Sequence, residues 1–242
     1  MPEATQRNSD RLYQNLARQL VTELVTGKYP VGSRLPAERE LAALYDVSRP
    51  TVREAVIALE VQGLVEVRIG SGAYVVRMPV AEDTPPVGLT AFDLTEARLL
   101  IESEAAALAA TLASDEELES IAALVDAIDQ ENRDPKGAER ADRAFHLAIA
   151  RATRNSAMAG AVESLWDMRE TSAQAALLHA KARNANVKPV VDEHRVIVDA
   201  LRARDPEAAR GAMRAHLSAV IQSLLLVTDS AEKQARYRPV QA

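Results

Sequence analysis

Between residues 34 and 77 two short amphipathic patterns flank a tight turn and run on into a glycine-punctuated β pattern, an order that few folds accommodate. Pro36 suits a helix start, where its missing N–H leaves nothing unsatisfied, and Ala37–Tyr45 follows with Leu41 and Leu44 inward. Asp46-Val47 makes the turn. Ser48 is a natural N-cap for the next helix, and Pro50 is tolerated in its first turn. There Val52, Val56 and Leu59 recur at the spacing of one buried face, while Arg49 and Arg53 share another, with Thr51 near its N-terminal end. Leu64–Arg68 and Ala73–Arg77 read as strands, and Gly70 and Gly72 permit a close turn between them. Helix, turn, helix and ribbon in that order describe a winged helix-turn-helix, whose second helix offers its N-terminal residues to base edges in the major groove. An arginine fork can bond guanine O6 and N7 together. Two arginines on a helix are equally an ordinary solvated face, and it is the wing that favours DNA.

The rest of the chain is organised by its punctuation. Asp10–Thr26 reads as a first helix with Leu12, Leu16, Leu20 and Leu24 on one stripe, ended by Gly27. Met78–Thr90, with Pro79, Pro85, Pro86 and Gly88, reads as a linker. Beyond it only helical patterns occur: Asp93–Ala113, Asp115–Asn132, Pro135–Thr153, Ser156–His179, Pro189–Arg204 and Pro206–Thr228, with Ser114 and Asp205 as N-caps. The expected fold is mainly α, a winged helix-turn-helix over residues 1–78, a linker 79–92, an all-α bundle of six to seven helices over 93–230 and a disordered tail 231–242.

Composition narrows the setting. There are no cysteines, which excludes disulfides and thiolate metal sites, and aromatics are only 3%, so the cores must be built from Ala, Leu, Val and Ile. No stretch approaches the roughly 18 apolar residues of a membrane span, and no apolar signal region opens the chain, so a cytoplasmic protein is expected. The net charge of −6 divides unevenly: residues 1–78 hold 10 Lys and Arg against 9 Asp and Glu, and 79–242 hold 19 against 26. The acidic part should stay off phosphate, leaving the N-terminal part to place its few cations well.

PAERELAALYDVSRPTVREAVIALEVQGLVEVRIGSGAYV resembles the N-terminal domain of the GntR family of bacterial transcription regulators across nearly the whole module. The resemblance implies that Arg39, Arg49 and Arg53 fall where base or backbone contacts are made. By the same token Ser48, Thr51 and Gly70 fall where phosphate, base or minor-groove contacts are made. Pro50 departs from the polar residue often found there, so no base contact is carried over to it.

Three of the four histidines lie in helical patterns beside carboxylates: His146 four residues after Asp142, His194 in VDEHRVIVDAL and His216 in MRAHLSAVI. Singly, each is an ordinary partly buried histidine. The segments LTEARLLIESEAAALAA, DRAFHLAIARATRNS and DEHRVIVDALRARDPEAARGAMRAHL are similar to the all-helical FCD effector domain of the subgroup typified by the fatty-acid regulator. In many such domains an Asp and three His bind a metal, which here implies Asp142, His146, His194 and His216, leaving His179 as a surface or helix-end residue. Such a donor set suits a divalent transition metal, Zn²⁺ first and Ni²⁺ or Mn²⁺ next, with coordination positions left open. Arg98 can pair locally with Glu102, four residues on. The resemblance instead gives Arg98 an effector carboxylate, with Asn155 as a further polar contact. Trp166 lines the pocket or fills core.

Together these readings describe a homodimeric regulator, expected to be a repressor rather than an enzyme. It would read a palindromic double-stranded operator and be released by a small carboxylate bound at the metal. AFDLTEARLLIES, FHLAIARATRNSAM and LWDMRE look like repressors of hexuronate catabolism, which points to a sugar acid. The alternatives are a metal sensor whose signal is the ion itself and, less favoured, a metal-dependent hydrolase.

Overall fold

The computed structural model describes residues 9–80, 88–134 and 139–235. Among them are ten helices and one two-stranded sheet: α1 (Ser9–Val25), α2 (Glu38–Tyr45), α3 (Arg49–Val61), β1 (Val65–Arg68), β2 (Gly72–Val75), α4 (Ala91–Leu112), α5 (Asp115–Asn132), α6 (Arg140–Ala152), α7 (Ser156–Thr171), α8 (Ala173–Asn184), α9 (Val191–Arg202) and α10 (Pro206–Ala235). They form two compact units. One holds Met1–Thr90, Ser172–Lys181 and Leu224–Ala242; the other holds Ala91–Thr171 and Ala182–Ser223.

The first unit is the winged helix-turn-helix. Tyr13, Leu16, Leu20 and Leu24 of α1 pack with Leu41, Val52, Val56, Leu59, Leu64 and Val75 in one core. Two expectations shift by a register step: Tyr13 takes the place expected of Leu12, which is half-exposed, and Leu44 is 60% exposed. α2 is only eight residues long, so it buries just one narrow edge, through Leu41. Pro36 precedes the helix instead of starting it; Ala37 is the N-cap, and Glu40 reaches back to its N–H. Asp46 closes α2 in the left-handed region, φ 51°. Ser48 caps α3 as expected, its hydroxyl oxygen accepting from the Thr51 N–H. In the wing β1 and β2 pair antiparallel from Val65↔Val75 to Arg68↔Gly72. Gly72 is needed there, since its φ is +109° and a Cβ would stand 2.6 Å from Arg34 Nε.

The division departs from the expected boundaries at α8 and at the end of α10. Lys181 donates to the Val67 carbonyl at 2.7 Å and lies 3.0 Å from Glu60, which ties that part of α8 to the wing's unit. His179, expected at a surface or helix end, is mid-helix and buried in α8. Most of the expected linker, residues 81–87, lies outside the described residues, as does the tail beyond Ala235. Residues 231–235, expected in the tail, continue α10.

The second unit is helical throughout. α4 packs against α6, α7 and α9, and its run of buried alanines, Ala105, Ala106, Ala109 and Ala110, lets neighbouring helices approach closely. Ile121, Val125, Ile128, Phe145, Ile149, Ile197, Leu201, Met213 and Leu217 complete that core, aliphatic as composition requires. Ser114 and Glu117 form a reciprocal capping box at α5. The expected helix over 156–179 breaks at Ser172, whose carbonyl accepts the first bond of α8 while its hydroxyl donates to Leu89. The helix expected from Pro135 starts at Arg140; residues 135–138 lie outside the described residues. Glu131, near the end of α5, accepts from the N–H groups of Arg140 and Ala141 and so caps α6. No helix among the described residues is long and apolar enough to cross a membrane.

Candidate functional site

Four helices of the second unit bring their polar side chains to one buried point. α4 supplies Arg98 and Glu102, α6 supplies Asp142 and His146 one turn apart, α9 supplies Glu193 and His194, and α10 supplies His216. One ligand atom from each of Asp142, His146, His194 and His216 lies within 4.8 Å of the others, and all four residues are buried. The sequence set these residues up to 74 positions apart (142 to 216); the fold gathers them.

The imidazoles are oriented from behind. His194 Nδ1 lies 2.8 Å from the Val190 carbonyl, His216 Nδ1 2.8 Å from Glu193 Oε2, and His146 Nδ1 2.5 Å from Glu102 Oε2. For His194 and His216 the partner is a hydrogen-bond acceptor, so Nδ1 carries the proton, and in the neutral ring Nε2 is a bare lone pair; His146 Nδ1 stands against the Glu102 carboxylate as a close ion-pair contact. His194 Nε2 nevertheless sits 2.9 Å from Asp142 Oδ1, and His146 Nε2 3.5 Å from the same oxygen with no hydrogen bond of its own. Lone pairs facing a carboxylate need a proton or a cation between them. Phe145 and Trp166 close the site on its apolar sides, 5.5 Å ring to ring from His146.

The electrostatics agree with that need. Burial pushes the Asp142 carboxyl up, but the His146 and His194 imidazoles beside it overcome that and hold the group well below the usual range. Burial likewise opposes charge on Glu102, yet the nearby Arg98 guanidinium and His146 keep it ionised, down at about 2. Burial lowers His216 to about 4, which keeps that imidazole neutral near pH 7. For His146 burial acts downward and the Glu102 charge outweighs it, so its pKa is raised. Ionised carboxylates and a neutral imidazole are what a divalent cation requires of its ligands, and the residues present fit one.

Arg98 is 3% exposed, its Nε 2.7 Å from Glu102 Oε1 and its guanidinium 4.1 Å above the Trp166 ring. The structure therefore realises the local pair with Glu102. Asn155 is exposed, and its Oδ1 accepts from the N–H groups of Ala157 and Met158 at the start of α7. It is a helix cap there and does not join the cluster. Glu102 and Glu193 were not singled out as site residues. The only sequence signal for Glu102 was its spacing from Arg98, and nothing in the order of residues places Glu193 beside a histidine of another helix.

In the first unit Arg39 and Ser48 are exposed, and Arg49, Thr51 and Gly70 are half-exposed, at the start of α2, the start of α3 and the wing tip. Gly70 has φ +83°, which lets the wing turn without a side chain. Arg53 differs. It is 1% exposed, pairs with Glu38 through Nε at 2.9 Å and through Nη2, and donates from Nη1 to the Leu224 and Leu225 carbonyls. The expected shared face of Arg49 and Arg53 is thus split, because a buried guanidinium takes every acceptor within reach.

A winged helix-turn-helix followed by an all-helical domain with an enclosed polar cluster defines a DNA-binding regulator. The comparisons give the family. Residues 12–75 match the bacterial regulatory proteins of the gntR family and residues 93–219 match the FCD domain, so the chain belongs to the GntR family and carries an FCD domain. It is 40% identical over 215 residues to the Exu regulon transcriptional regulator of Escherichia coli K12, covering 86% of this chain and 82% of that one. It is 34% identical over 226 residues to the Uxu operon regulator of Haemophilus influenzae, covering 91% and 84%. Among solved structures a GntR family transcriptional regulator from Pseudomonas syringae pv. tomato aligns with a TM-score of 0.50 at 26% identity, over 93% of this chain and 89% of that one. The relatives are transcriptional regulators, and this chain is one, a DNA-binding protein and not an enzyme.

Proposed function

We propose that this regulator is a cytoplasmic homodimer that represses a sugar-acid catabolic operon, and that a hexuronate or similar small hydroxy acid releases it from a palindromic operator. Arg39, Ser48, Arg49, Thr51 and Gly70 are the residues that would meet DNA, five groups within reach of solvent at the start of α2, the start of α3 and the wing tip. Asp142, His146, His194 and His216 would hold a divalent cation, Zn²⁺ foremost. The observation that carries this reading is the convergence of three imidazoles, each with an acceptor beside Nδ1, and of the Asp142 carboxylate, on which His194 and His146 turn their Nε2 atoms.

A cation of this kind, when bound, offers Lewis-acidic positions to the carboxylate and hydroxyl oxygens of such an acid. A shallow depression in the same unit reaches Asp142 and is lined by Glu131, Asp134 and Glu139 as well as by Arg183 and Lys188. The names of the relatives support the hexuronate assignment. Glu102 and Glu193 each stand against a histidine Nδ1, which ties both to the cluster.

The experiment is thermal unfolding of metal-quantified protein with a panel of small carboxylates. An effector at 100 times its Kd adds about 2.7 kcal/mol, a plain rise in Tm. A shift with a hexuronate that chelation abolishes is the expected result. Operator affinity that follows free Zn²⁺ and ignores every organic acid would replace this reading with the metal sensor.

A further inference from the structure

We propose that Glu102 and Glu193 are positioning residues for the cation, and that Arg98 acts through Glu102 rather than on the carboxylate of an effector. This rests on reading the four-residue cluster as a metal site.

The three imidazoles are not held alike. His146 and His216 have carboxylates behind Nδ1, while His194 has only the neutral carbonyl of Val190. An anion behind the ring fixes the tautomer and makes Nε2 a stronger donor to a cation; a carbonyl fixes the tautomer alone. Glu102 is itself pinned, one oxygen toward His146 Nδ1 and the other 2.7 Å from Arg98 Nε. Arg98 in turn lies over Trp166, whose ring also faces His146. The result is a closed circuit of buried groups, Trp166, Arg98, Glu102 and His146, all 3% exposed or less. A guanidinium in that position has its Nε and Nη2 edge given to Glu102 and one face covered by Trp166.

Charge points the same way. Asp142, Glu102 and Glu193 bring three negative charges and Arg98 one positive. With neutral histidines the set carries two negative charges, which a divalent cation balances. Without Arg98 the excess would be three, and without Glu102 a buried guanidinium would face the cation directly.

The test is titration of metal-free full-length protein with Zn²⁺ and Co²⁺, comparing wild type, Glu102→Gln, Glu193→Gln and Arg98→Lys, with operator binding followed in parallel. Glutamine keeps an acceptor for Nδ1–H and removes only the charge, so a purely packing role would leave both readings unmoved. Glu102→Gln is expected to weaken Zn²⁺ binding by about 10- to 100-fold and to shift the visible Co²⁺ spectrum. Glu193→Gln, at a carboxylate 31% open to solvent, should give a smaller loss and decides the matter if Glu102→Gln fails to fold. Wild-type affinity and spectrum in both glutamine variants would overturn the positioning roles while the metal reading stands. A wild-type protein that takes up neither ion would overturn both. Arg98→Lys that binds Zn²⁺ normally yet no longer responds to a hexuronate would restore Arg98 to the effector.

Discussion

Among the described residues each unit buries one arginine, and each gives its guanidinium to a glutamate, but the two pairs are built on different terms. Arg53 of α3 reaches across 15 residues of sequence to Glu38 of α2, whose side chain keeps 17% of its exposure. Arg98 of α4 finds Glu102 on its own helix, 2% exposed, and that glutamate is shared with His146. The first pair fastens two helices of a reading head. The second fastens His146, a side chain of the candidate metal cluster on another helix, so its worth is felt there rather than in helix packing. Both arginines sit where a contact with a partner was expected, and in both a carboxylate within the fold has taken the fork. A buried guanidinium left without an anion is far more costly than a solvated one, so the fold supplies the anion itself.

Removing the site's ligands gives the largest expected contrast between the units. His146→Ala or Asp142→Ala should reduce bound divalent metal to background in elemental analysis of dialysed protein, with the head still folded. Retained stoichiometric metal in both variants would break the assignment. Next, Arg49→Ala should weaken specific operator binding by about 10- to 100-fold, the loss of one good base contact, while metal content stays unchanged. A loss confined to non-specific affinity and the salt slope would instead make Arg49 a phosphate contact.

Arg53→Ala sharpens the comparison directly. It strips Glu38 and two carbonyls of their donor and should destabilise the first unit by about 3 kcal/mol, measured by denaturant unfolding, whereas Arg49→Ala should leave stability almost untouched. Equal stability of the two variants would mean that Arg53 is not held as described. Ser114→Ala should be the mildest change, about 1 kcal/mol from the lost cap of α5, with operator affinity intact.

Acid should act on the second unit through the same cluster. His216 titrates near 6.5 when unfolded and about 4 when folded, so in metal-free protein it contributes stability above pH 6.5 that is lost as pH falls toward 4. Asp142, held below its usual value, adds a loss of the same sign at lower pH. His146, raised in the folded state, works in the opposite direction. His216→Gln should flatten the pH dependence of Tm between 6.5 and 4; an unchanged slope would remove His216 from the account.

What could be read along the chain was whatever depends on neighbours in sequence. The two caps, Ser48 and Ser114, fell where hydroxyls precede apolar periodicity, and the wing fell where Gly70 and Gly72 allow positive φ. The span of α5, Asp115–Asn132, was legible to the residue, since a capping box opens it and nothing interrupts its period. Leu44 was misjudged because a two-turn helix has too few residues for its period to fix which edge is inward. The break at Ser172 was missed because its cause is a bond to Leu89, 83 residues away.

The sequence by itself determined the family and the two kinds of module, which are carried by local pattern, while Asp142, His146, His194 and His216 came as a set only through the resemblance to the FCD domain. Tertiary structure alone decided which face Arg53 presents, that Asn155 caps a helix, and that Glu102 and Glu193 stand behind the histidines. The reason is physical. A helix period tells which residues of one segment share a face, but the partner of a buried charge is chosen by whichever element of opposite charge packs against it, and that is settled only when the helices meet.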